Sequence, residues 1–332
     1  MTKYDVYALG NALLDIEFEV SAEVLQDLGI DKGVMTLLDR GSQDKIVGNL
    51  VEYAQKRSCG GSAANTAIAI SQFGGKSFYS CKVADDEPGK FYTQDLLNCG
   101  VATNLENQDA RAGVTGKCLV FVTPDADRTM NTFLGISAEF GNQELVPEAI
   151  QSAEYTYIEG YLVSGESSLQ AAIEAREIAR AAGNKVAFTL ADLNMVKFFK
   201  SELLKIIGSG VDFLFANESE ALLMAETEDF EVAVNHLKTL AKRFAITRGA
   251  AGSVIFNGEK LIEIAPVSVK AIDTVGAGDM YAGAFLYGIT NGMSYAEAGD
   301  LASLASAKLV TSLGARLPTE KVQALLDEAK VA

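Results

Sequence analysis

The feature of this sequence that most constrains its fold is an alternation of short apolar segments with longer segments of helical periodicity. The apolar segments are residues 186–190, 211–215 and 244–247, and the helical patterns occupy residues 193–207, 218–225 and 232–241. Strands that alternate with helices pair in parallel, and the helices then cover both faces of the sheet. The alternation therefore predicts an α/β fold, with a three-layer α/β/α body built around a mainly parallel central sheet.

A second, smaller sheet is predicted from segments in the first half of the chain. Residues 15–20 alternate strictly between carboxylates and apolar side chains, which is typical of a strand with one wet face. Residues 117–122 and 128–134 share this character, and the turn-forming residues between them predict a hairpin. We expect this sheet to form a lid over a cleft. The predicted boundaries are residues 15–39 and 113–135 for the lid and residues 1–14, 40–112 and 136–332 for the body.

The composition argues against several classes of function. The 332 residues carry a formal net charge of −16, which disfavours nucleic acid or an anionic membrane surface as a partner. No apolar run reaches the roughly 18 residues of a membrane span, and the N-terminal residues lack a signal-peptide pattern, so we expect a cytoplasmic protein. The four cysteines have no zinc-ligand spacing. The single histidine, His236, lies in a helical pattern, which disfavours a histidine-based catalytic triad.

A glycine-rich turn meets a carboxylate at the start of a predicted helix in residues 272–283. Gly276, Ala277 and Gly278 precede Asp279. The unpaired N–H groups and the dipole of such a helix start suit a phosphate group, and a carboxylate there suits proton abstraction from an attacking hydroxyl. The alternative is an ordinary glycine-rich helix start with an acidic first turn. On this segment alone, the ordinary helix start is the simpler interpretation.

Two segments near the N-terminus have the chemistry to bind hydroxyl groups. Residues 60–65 combine two glycines, which allow a ligand to approach the backbone, with Asn65 one helical turn later. Asp15 follows a predicted strand and loop and can accept two hydroxyl hydrogen bonds. A glycine turn before a capped helix and a solvated strand residue are equally good interpretations of these two segments.

Two segments that follow predicted strands are candidates for nucleotide binding. Asn217 and Glu220 lie at the edge of the sheet where α/β proteins bind ligands, and Glu220 is placed to reach a hydrated Mg²⁺. Residues 247–252 can wrap phosphate groups. A capped helix with an acidic first turn and a hairpin turn are the respective alternatives. The glycine patterns of a Walker A motif and of a dinucleotide-binding fingerprint are both incomplete in this chain.

Taken together, these motifs resemble those of the ribokinase (PfkB) family of sugar and nucleoside kinases, in the same order along nearly the whole chain. The matching segments are GNALLD (10–15), GGSAAN (60–65), NESE (217–220), TRGAAG (247–252) and DTVGAGD (273–279). The resemblance implies a ribokinase-like fold. It also implies an ATP-dependent phosphotransferase that has an alcohol group as acceptor.

The resemblance assigns roles to individual residues. Asp279 would take the proton from the primary hydroxyl of the acceptor. The glycine turn at Gly276, Ala277 and Gly278 would bind the transferring phosphoryl group through the N–H groups of Ala277, Gly278 and Asp279. Arg128 would reach the phosphates from the lid. The acceptor hydroxyls would be held by Asn11, Asp15, Gly60, Gly61, Ser62 and Asn65. The nucleotide would be held by Asn217, Glu220, Thr247, Gly249 and Gly252, with Mg²⁺ bound to Glu220 through water and a monovalent cation such as K⁺ near Asp273 and Thr274.

Within the family, residues 10–16, 115–118, 157–161 and 215–221 resemble the corresponding segments of adenosine kinases. This implies that Tyr161 stacks on a base and that Leu13 and Met130 line its other side. The predicted activity is transfer of the γ-phosphate of ATP to the 5′-type hydroxyl of a purine nucleoside, adenosine in particular. A sugar kinase acting on ribose, fructose or another carbohydrate is one alternative, and a catalytically silent ligand sensor is another. The sequence leaves monomer and homodimer both open.

Overall fold

The structure is a computed structural model that describes residues 3–33, 35–53, 55–107, 111–124 and 128–329. Its strands, in chain order, are β1 (Tyr4–Leu9), β2 (Leu13–Glu19), β3 (Met35–Leu37), β4 (Gln55–Gly60), β5 (Ser77–Ser80), β6 (Ala102–Thr103), β7 (Thr115–Val122), β8 (Arg128–Gly135), β9 (Ala153–Ile158), β10 (Lys185–Thr189), β11 (Phe213–Asn217), β12 (Phe244–Thr247), β13 (Ser253–Phe256) and β14 (Leu261–Ile264). Its helices are α1 (Ala22–Asp27), α2 (Arg40–Gly48), α3 (Ser62–Gln72), α4 (Glu87–Asn98), α5 (Pro147–Gln151), α6 (Glu166–Ala181), α7 (Leu193–Ile207), α8 (Glu218–Met224), α9 (Phe230–Leu240), α10 (Ala277–Thr290), α11 (Tyr295–Leu309) and α12 (Thr319–Ala329).

Strands from both halves of the chain form the large sheet, in the order β14-β13-β12-β11-β10-β9-β1-β5-β6. From β12 to β6 all neighbouring strands pair in parallel, and β13 and β14 add an antiparallel edge. The strands predicted at residues 186–190, 211–215 and 244–247 are β10, β11 and β12. Because parallel strands run in one direction, their carboxyl ends meet at one edge of the sheet, where α/β proteins bind ligands.

Alternate residues of the large sheet belong to two separate apolar cores. Along β1, Val6 and Ala8 face a core shared with α3, α10, α11 and α12, whereas Tyr7 and Leu9 face a core shared with α5 to α9. This two-residue period follows from the pleat of a strand. The sheet is therefore buried between two helical layers, which confirms the predicted three-layer α/β/α body.

The small sheet has one face covered by helices and one face turned toward the body. Its strand order is β3-β8-β7-β2-β4. Along β2, Leu14 and Phe18 pack with residues of α1 and α2 in a core of their own. Leu13, Asp15 and Glu17 point the other way, into a cavity between the two sheets. The predicted alternation of residues 15–20 is present, and its carboxylate face is the face that lines this cavity.

The small sheet is larger than the sequence patterns predict. Its edge strand β4 lies in the range 40–112 that the sequence assigns to the body, and so does α2, which packs on the covered face of the small sheet. The β4 sequence, QKRSCG, has neither β-branched residues nor a regular alternation, so pattern rules do not detect it. The division into body and lid therefore stays a prediction.

The strands of the predicted hairpin, β7 and β8, pair in antiparallel fashion, with Val122 opposite Arg128. Residues 125–127 of the predicted turn lie outside the described residues. Within the part of the chain that the structure describes, no helix has the length and apolar character needed to cross a membrane.

Candidate active site

A cavity of about 970 Å³ lies between the carboxyl edge of the large sheet and the open face of the small sheet. Its lining brings together most of the site residues predicted from the sequence: Asn11, Leu13, Asp15, Gly61, Ser62, Asn65, Met130, Tyr161, Asn217, Glu220, Thr247, Thr274, Gly276, Gly278 and Asp279. Gly60, Ala277 and Asp273 are outside this lining but are next in sequence to residues that belong to it, whereas Gly249 and Gly252 lie outside it. Segments far apart in the chain therefore converge on one site.

Asp279 lies in the first turn of α10, directly after the glycine turn. Gly276 has a φ of 75°, a left-handed conformation that glycine adopts without strain, and a Cβ there would meet the carbonyl oxygen of Ala315 at 2.7 Å. The N–H of Ala277 donates to the Thr274 carbonyl at 3.2 Å. Among the described residues, the N–H groups of Gly278 and Asp279 have no hydrogen-bond partner. These two N–H groups are the free donors of the helix start.

Two side chains from α3 hold the Asp279 carboxylate. Ser62 donates from its Oγ at 2.7 Å, and Asn65 donates from its Nδ2 at 3.0 Å. Burial raises the pKa of Asp279, and the two hydrogen bonds counteract part of that shift. The arrangement fixes the direction of the carboxylate and makes it a better proton acceptor than a solvated aspartate. In this structure Ser62 and Asn65 thus contact the predicted base, while their predicted role in holding the acceptor stays a prediction.

The glycine pair that precedes α3 is required by close contacts on both sides. A Cβ on Gly60 would collide with the Asp15 carboxyl group, and a Cβ on Gly61 would collide with the carbonyl oxygen of Asn11. Gly61 also has a φ of 103°. The glycines therefore allow the start of α3 to lie directly against the loop after β1 and the first residues of β2, where the predicted acceptor contacts lie.

A buried carboxylate that the sequence analysis did not assign to the site lies beside it. Glu159 follows β9 directly and is only 1% exposed. It accepts hydrogen bonds from the N–H groups of Asn11 at 3.0 Å and Ala63 at 2.8 Å. Burial raises its pKa to about 7, and the negative charge of Asp279 adds to this shift. A carboxylate at the carboxyl end of an apolar strand was the available signal, because that is where α/β sites lie.

The nucleotide-side candidates Asn217 and Glu220 form a reciprocal cap at the start of α8. The Asn217 side chain accepts from the Glu220 N–H at 2.8 Å, and the Glu220 carboxylate accepts from the Asn217 N–H at 2.9 Å and Nδ2 at 2.7 Å. Burial raises the pKa of Glu220 to about 7, with a further contribution from Asp192. This is the helix cap that the sequence allowed as the alternative to nucleotide binding. Glu220 also lines the cavity.

The acidic groups of the cavity suit a hydrated Mg²⁺ better than a metal held by protein ligands alone. Among the described residues, no group of three or more His, Cys, Asp or Glu side chains could hold a metal ion. Mg²⁺ in kinases usually keeps several waters and binds one or two carboxylates plus substrate phosphates. The buried Glu220, with Asp192 close enough to raise its pKa, fits that requirement.

The remaining candidates for nucleotide and cation binding lie partly in the cavity lining and partly outside it. Thr247 lines the cavity, whereas Gly249 and Gly252, with φ values of 54° and 83°, belong to the turn between β12 and β13. Asp273 is buried and accepts from the N–H groups of Val275 at 3.0 Å and Gly314 at 2.8 Å. A buried carboxylate is a suitable ligand for a monovalent cation, which stays a prediction at Asp273 and Thr274.

The lid-side candidates lie on opposite walls of the cavity. Leu13 and Met130 line it from the small sheet, and Tyr161 lines it from the body. The Tyr161 hydroxyl donates to Asp192 at 3.2 Å, a cavity residue that the sequence analysis did not select. The backbone of Arg128 begins β8, and its side chain lies outside the described residues, so its predicted role stays a prediction.

A buried carboxylate at a helix N-terminus, beside free N–H donors, has the chemistry that a phosphotransferase acting on an alcohol group requires. The family model described as pfkB family carbohydrate kinase matches residues 42–322, and the chain belongs to this family. The resemblance stated from the sequence is thereby confirmed. So are the predicted enzyme class and the ribokinase-like fold.

Similar proteins include kinases of both nucleosides and sugars. The adenosine kinase of Saccharomyces cerevisiae is 26% identical over 95% of this chain and 97% of its own length. A ribokinase of Staphylococcus aureus is 28% identical over 80% of this chain and 86% of its own. Among solved structures, the adenosine kinase from Sinorhizobium meliloti is 36% identical, with a TM-score of 0.87 over 98% of this chain and 99% of that one. A probable sugar kinase from Rhizobium etli is 33% identical, with a TM-score of 0.89 over 100% of both chains.

These relationships establish the general activity. The protein is a PfkB-type kinase of sugars or nucleosides, and kinases of this family use ATP as co-substrate, usually with Mg²⁺. Membership of the family leaves the acceptor undecided, because relatives of similar identity carry both kinds of name.

Proposed function

We propose that the protein transfers the γ-phosphate of ATP to the 5′-hydroxyl of a purine nucleoside, adenosine in particular. The observation that supports a nucleoside over a free sugar is the apolar character of the small-sheet wall of the cavity.

The apolar part of this wall is formed by side chains on neighbouring strands, and Glu17, Lys56 and Thr132 line the cavity from the same sheet. In the ladders, Met130 lies opposite Val120 on one side and Met35 on the other, and all three line the cavity together with Leu13, Leu37 and Leu134. Met35 and Leu37 are 43% and 63% exposed, so this apolar surface is uncovered and open to a ligand. A purine ring would cover this wall and gain about 25 cal/mol per Å² of apolar surface buried. A free sugar, which presents hydroxyl groups, would gain little by covering this apolar surface.

Polar groups line the same cavity, from the small sheet at Asp15 and from the body at Asn65 and Asp279. Asp15, Asn65 and Asp279 offer hydrogen-bond acceptors and donors where a ribose would follow the base. The cavity therefore offers both an apolar surface for a base and polar groups for a sugar, which matches the two halves of a nucleoside.

In the proposed reaction Asp279 accepts the proton of the attacking hydroxyl as the oxygen approaches the γ-phosphorus. Ser62 and Asn65 keep the carboxylate pointed at that proton. The N–H groups of Gly278 and Asp279, together with the dipole of α10, stabilise the charge on the transferring phosphoryl group. Since phosphoryl transfer depends on alignment and charge stabilisation, these residues supply what the chemistry requires.

On the nucleotide side, Asn217, Glu220 and Thr247 would lie along ATP, and Glu220 would hold the Mg²⁺ through water. When bound, Mg²⁺ neutralises charge on the phosphates. Glu220 is already fixed by its reciprocal hydrogen bonds with Asn217, so it presents its carboxylate in one orientation.

The test is an acceptor panel in the presence of Mg-ATP, with ADP release as the readout. We expect adenosine to give a kcat/KM at least tenfold above that of ribose, fructose and other free sugars. The variant Met130→Ser should lower the kcat/KM for adenosine at least tenfold by removing part of the apolar wall. Phe198→Ala, which truncates an exposed apolar residue of α7 outside the cavity, is the matched control and should leave it unchanged.

Each of the other outcomes has a distinct meaning. Turnover confined to free sugars would overturn the nucleoside proposal in favour of a sugar kinase. ADP release with none of the acceptors, from a folded protein that binds adenosine, would support the sensor alternative. Equal loss in the Met130 and Phe198 variants would mean that the wall does not contact the acceptor.

A further inference from the structure

Two cysteines, an arginine and an aspartate form a cluster beside the site. Cys59 is the penultimate residue of β4 and is fully buried, and Cys99 caps the carboxyl end of α4 and is partly exposed. The Arg316 Nη1 lies 3.4 Å from the Cys59 Sγ and 3.5 Å from the Cys99 Sγ. The Arg316 Nη2 also donates to Asp95 at 3.0 Å. One guanidinium thus contacts both sulfur atoms, which places the two thiols next to each other.

The cluster favours the thiolate form of one of its two cysteines. Interaction with the Cys59 thiol and the positive charge of Arg316 lower the pKa of Cys99 to about 7. The same interaction and burial raise the pKa of Cys59. The thiolate is the reactive form of cysteine, and reactive cysteines lie in electropositive, partly exposed surroundings. Cys81 is the contrast within this chain, because it is completely buried and burial raises its pKa.

We propose that Cys59 and Cys99 are a redox modification site, at which a peroxide converts the two thiols into a disulfide that lowers kinase turnover. The Cys99 thiolate attacks one peroxide oxygen, the O–O bond breaks, and the departing hydroxide takes up a proton to become water. The Cys59 sulfur then attacks the sulfenic sulfur and loses its proton, and the sulfenic hydroxyl leaves as a second water. Two electrons pass from the two sulfurs to the peroxide, and a dithiol reductant reverses the change.

The position of the pair connects oxidation with turnover. Helix α4 already holds the end of β4 at two points: Asp95 accepts from the Cys59 N–H at 2.8 Å, and the Tyr92 hydroxyl donates to the Gly60 carbonyl at 2.9 Å. A covalent S–S bond would draw this strand end toward α4. Ser62, which follows in the chain, holds the Asp279 carboxylate, so the displacement would misalign the base. A misplacement of about 1 Å can reduce the rate of an aligned reaction about 10²-fold.

The experiment treats the reduced protein with hydrogen peroxide and follows two readouts. Mass spectrometry of a non-reduced digest should show a Cys59–Cys99 linked peptide, and ADP release should fall at least tenfold. Dithiothreitol should remove the link and restore the activity. Cys99→Ser should keep the activity of the reduced protein and resist peroxide, whereas the control Cys81→Ala should remain as sensitive as the original chain.

The two readouts separate this proposal from the proposed function. The linked peptide requires no acceptor, so it is measurable even if adenosine is not the substrate, and the activity arm uses whichever acceptor the panel shows. Hydrogen exchange of residues 55–60 should also slow in the oxidised protein. Peroxide treatment that yields no Cys59–Cys99 peptide would overturn the proposal, and so would a linked peptide that leaves turnover unchanged.

Discussion

Replacing Asp279 with asparagine removes the proposed base while preserving its surroundings. Asparagine has nearly the same shape, and its side-chain oxygen can accept from the Asn65 Nδ2 as Asp279 does. Its NH₂ group can donate to the Ser62 Oγ, because a hydroxyl is both donor and acceptor. The variant should therefore fold with the site intact and lack only the group that takes the proton.

The size of the effect follows from the role assigned to the carboxylate. A positioned general base contributes about 10²–10⁴-fold to a rate, which corresponds to roughly 3–5 kcal/mol of transition-state stabilisation. We expect kcat to fall by about 10³-fold, with the KM for the acceptor changed by less than about threefold, since binding contacts remain. Burial raises the pKa of Asp279, so the ionised side chain opposes folding above its unfolded pKa. The neutral variant should thus be at least as stable at pH 7.

The assay combines steady-state ADP release with urea unfolding at pH 7. Asp300→Asn is the matched control, because Asp300 is an exposed carboxylate on α11, outside the cavity, and partial desolvation also raises its pKa. That change should leave kcat unchanged. A folded Asp279→Asn variant with kcat within tenfold of the original would refute the base assignment. A loss of stability above about 2 kcal/mol would refute the account of how the carboxylate is held.

Two further predictions concern stability. Burial raises the pKa of Glu159 from 4.5 to about 7, so the unfolding free energy should fall as pH rises through that interval, by on the order of 3 kcal/mol. Urea unfolding at pH 5 and pH 8 should show a smaller fall of the unfolding free energy in Glu159→Gln than in the original chain. Equal falls in the two proteins would contradict this prediction. Gly61 and Gly74 have φ values of 103° and 98°, but a Cβ meets other atoms within 4 Å only at Gly61. Thermal denaturation should therefore show that Gly61→Ala lowers the free energy of unfolding by more than the roughly 1 kcal/mol expected for Gly74→Ala. Equal losses of stability would exclude the clash with Asn11.

Much of the fold was predictable because its signals are local. Buried strands alternating with helices specify a parallel sheet without knowledge of any contact, and the strands predicted in the second half of the chain are β10, β11 and β12. The turn before Asp279 was recognisable for the same reason, because the glycines and the carboxylate are neighbours in the sequence. The edge strand β4 was not recognisable, because its polar sequence is stabilised by pairing with β2 rather than by its own pattern.

The parts of the site that the sequence did not reveal depend on distant contacts. Glu159 bonds to residues 148 and 96 positions away, Asn11 and Ala63. Arg316 contacts Cys59 across 257 positions. No periodicity or short motif encodes such contacts, because they exist only once the sheets have formed. The burial of Glu159 and the lowered pKa of Cys99 arise from the folded surroundings rather than from the residue types.

Two of the connections between the small sheet and the body are very short. Residues 10–12 join β1 to β2, and Gly61 alone joins β4 to α3. Asn11 and Gly61 are also part of the cavity lining, so residues of these connections are the same as predicted acceptor contacts. Substitutions there alter the architecture along with selectivity, whereas Val120 and Met130 face the cavity from strands away from these joints. Laboratory evolution toward new acceptors should therefore accumulate changes on β7 and β8 and leave residues 60–65 nearly invariant.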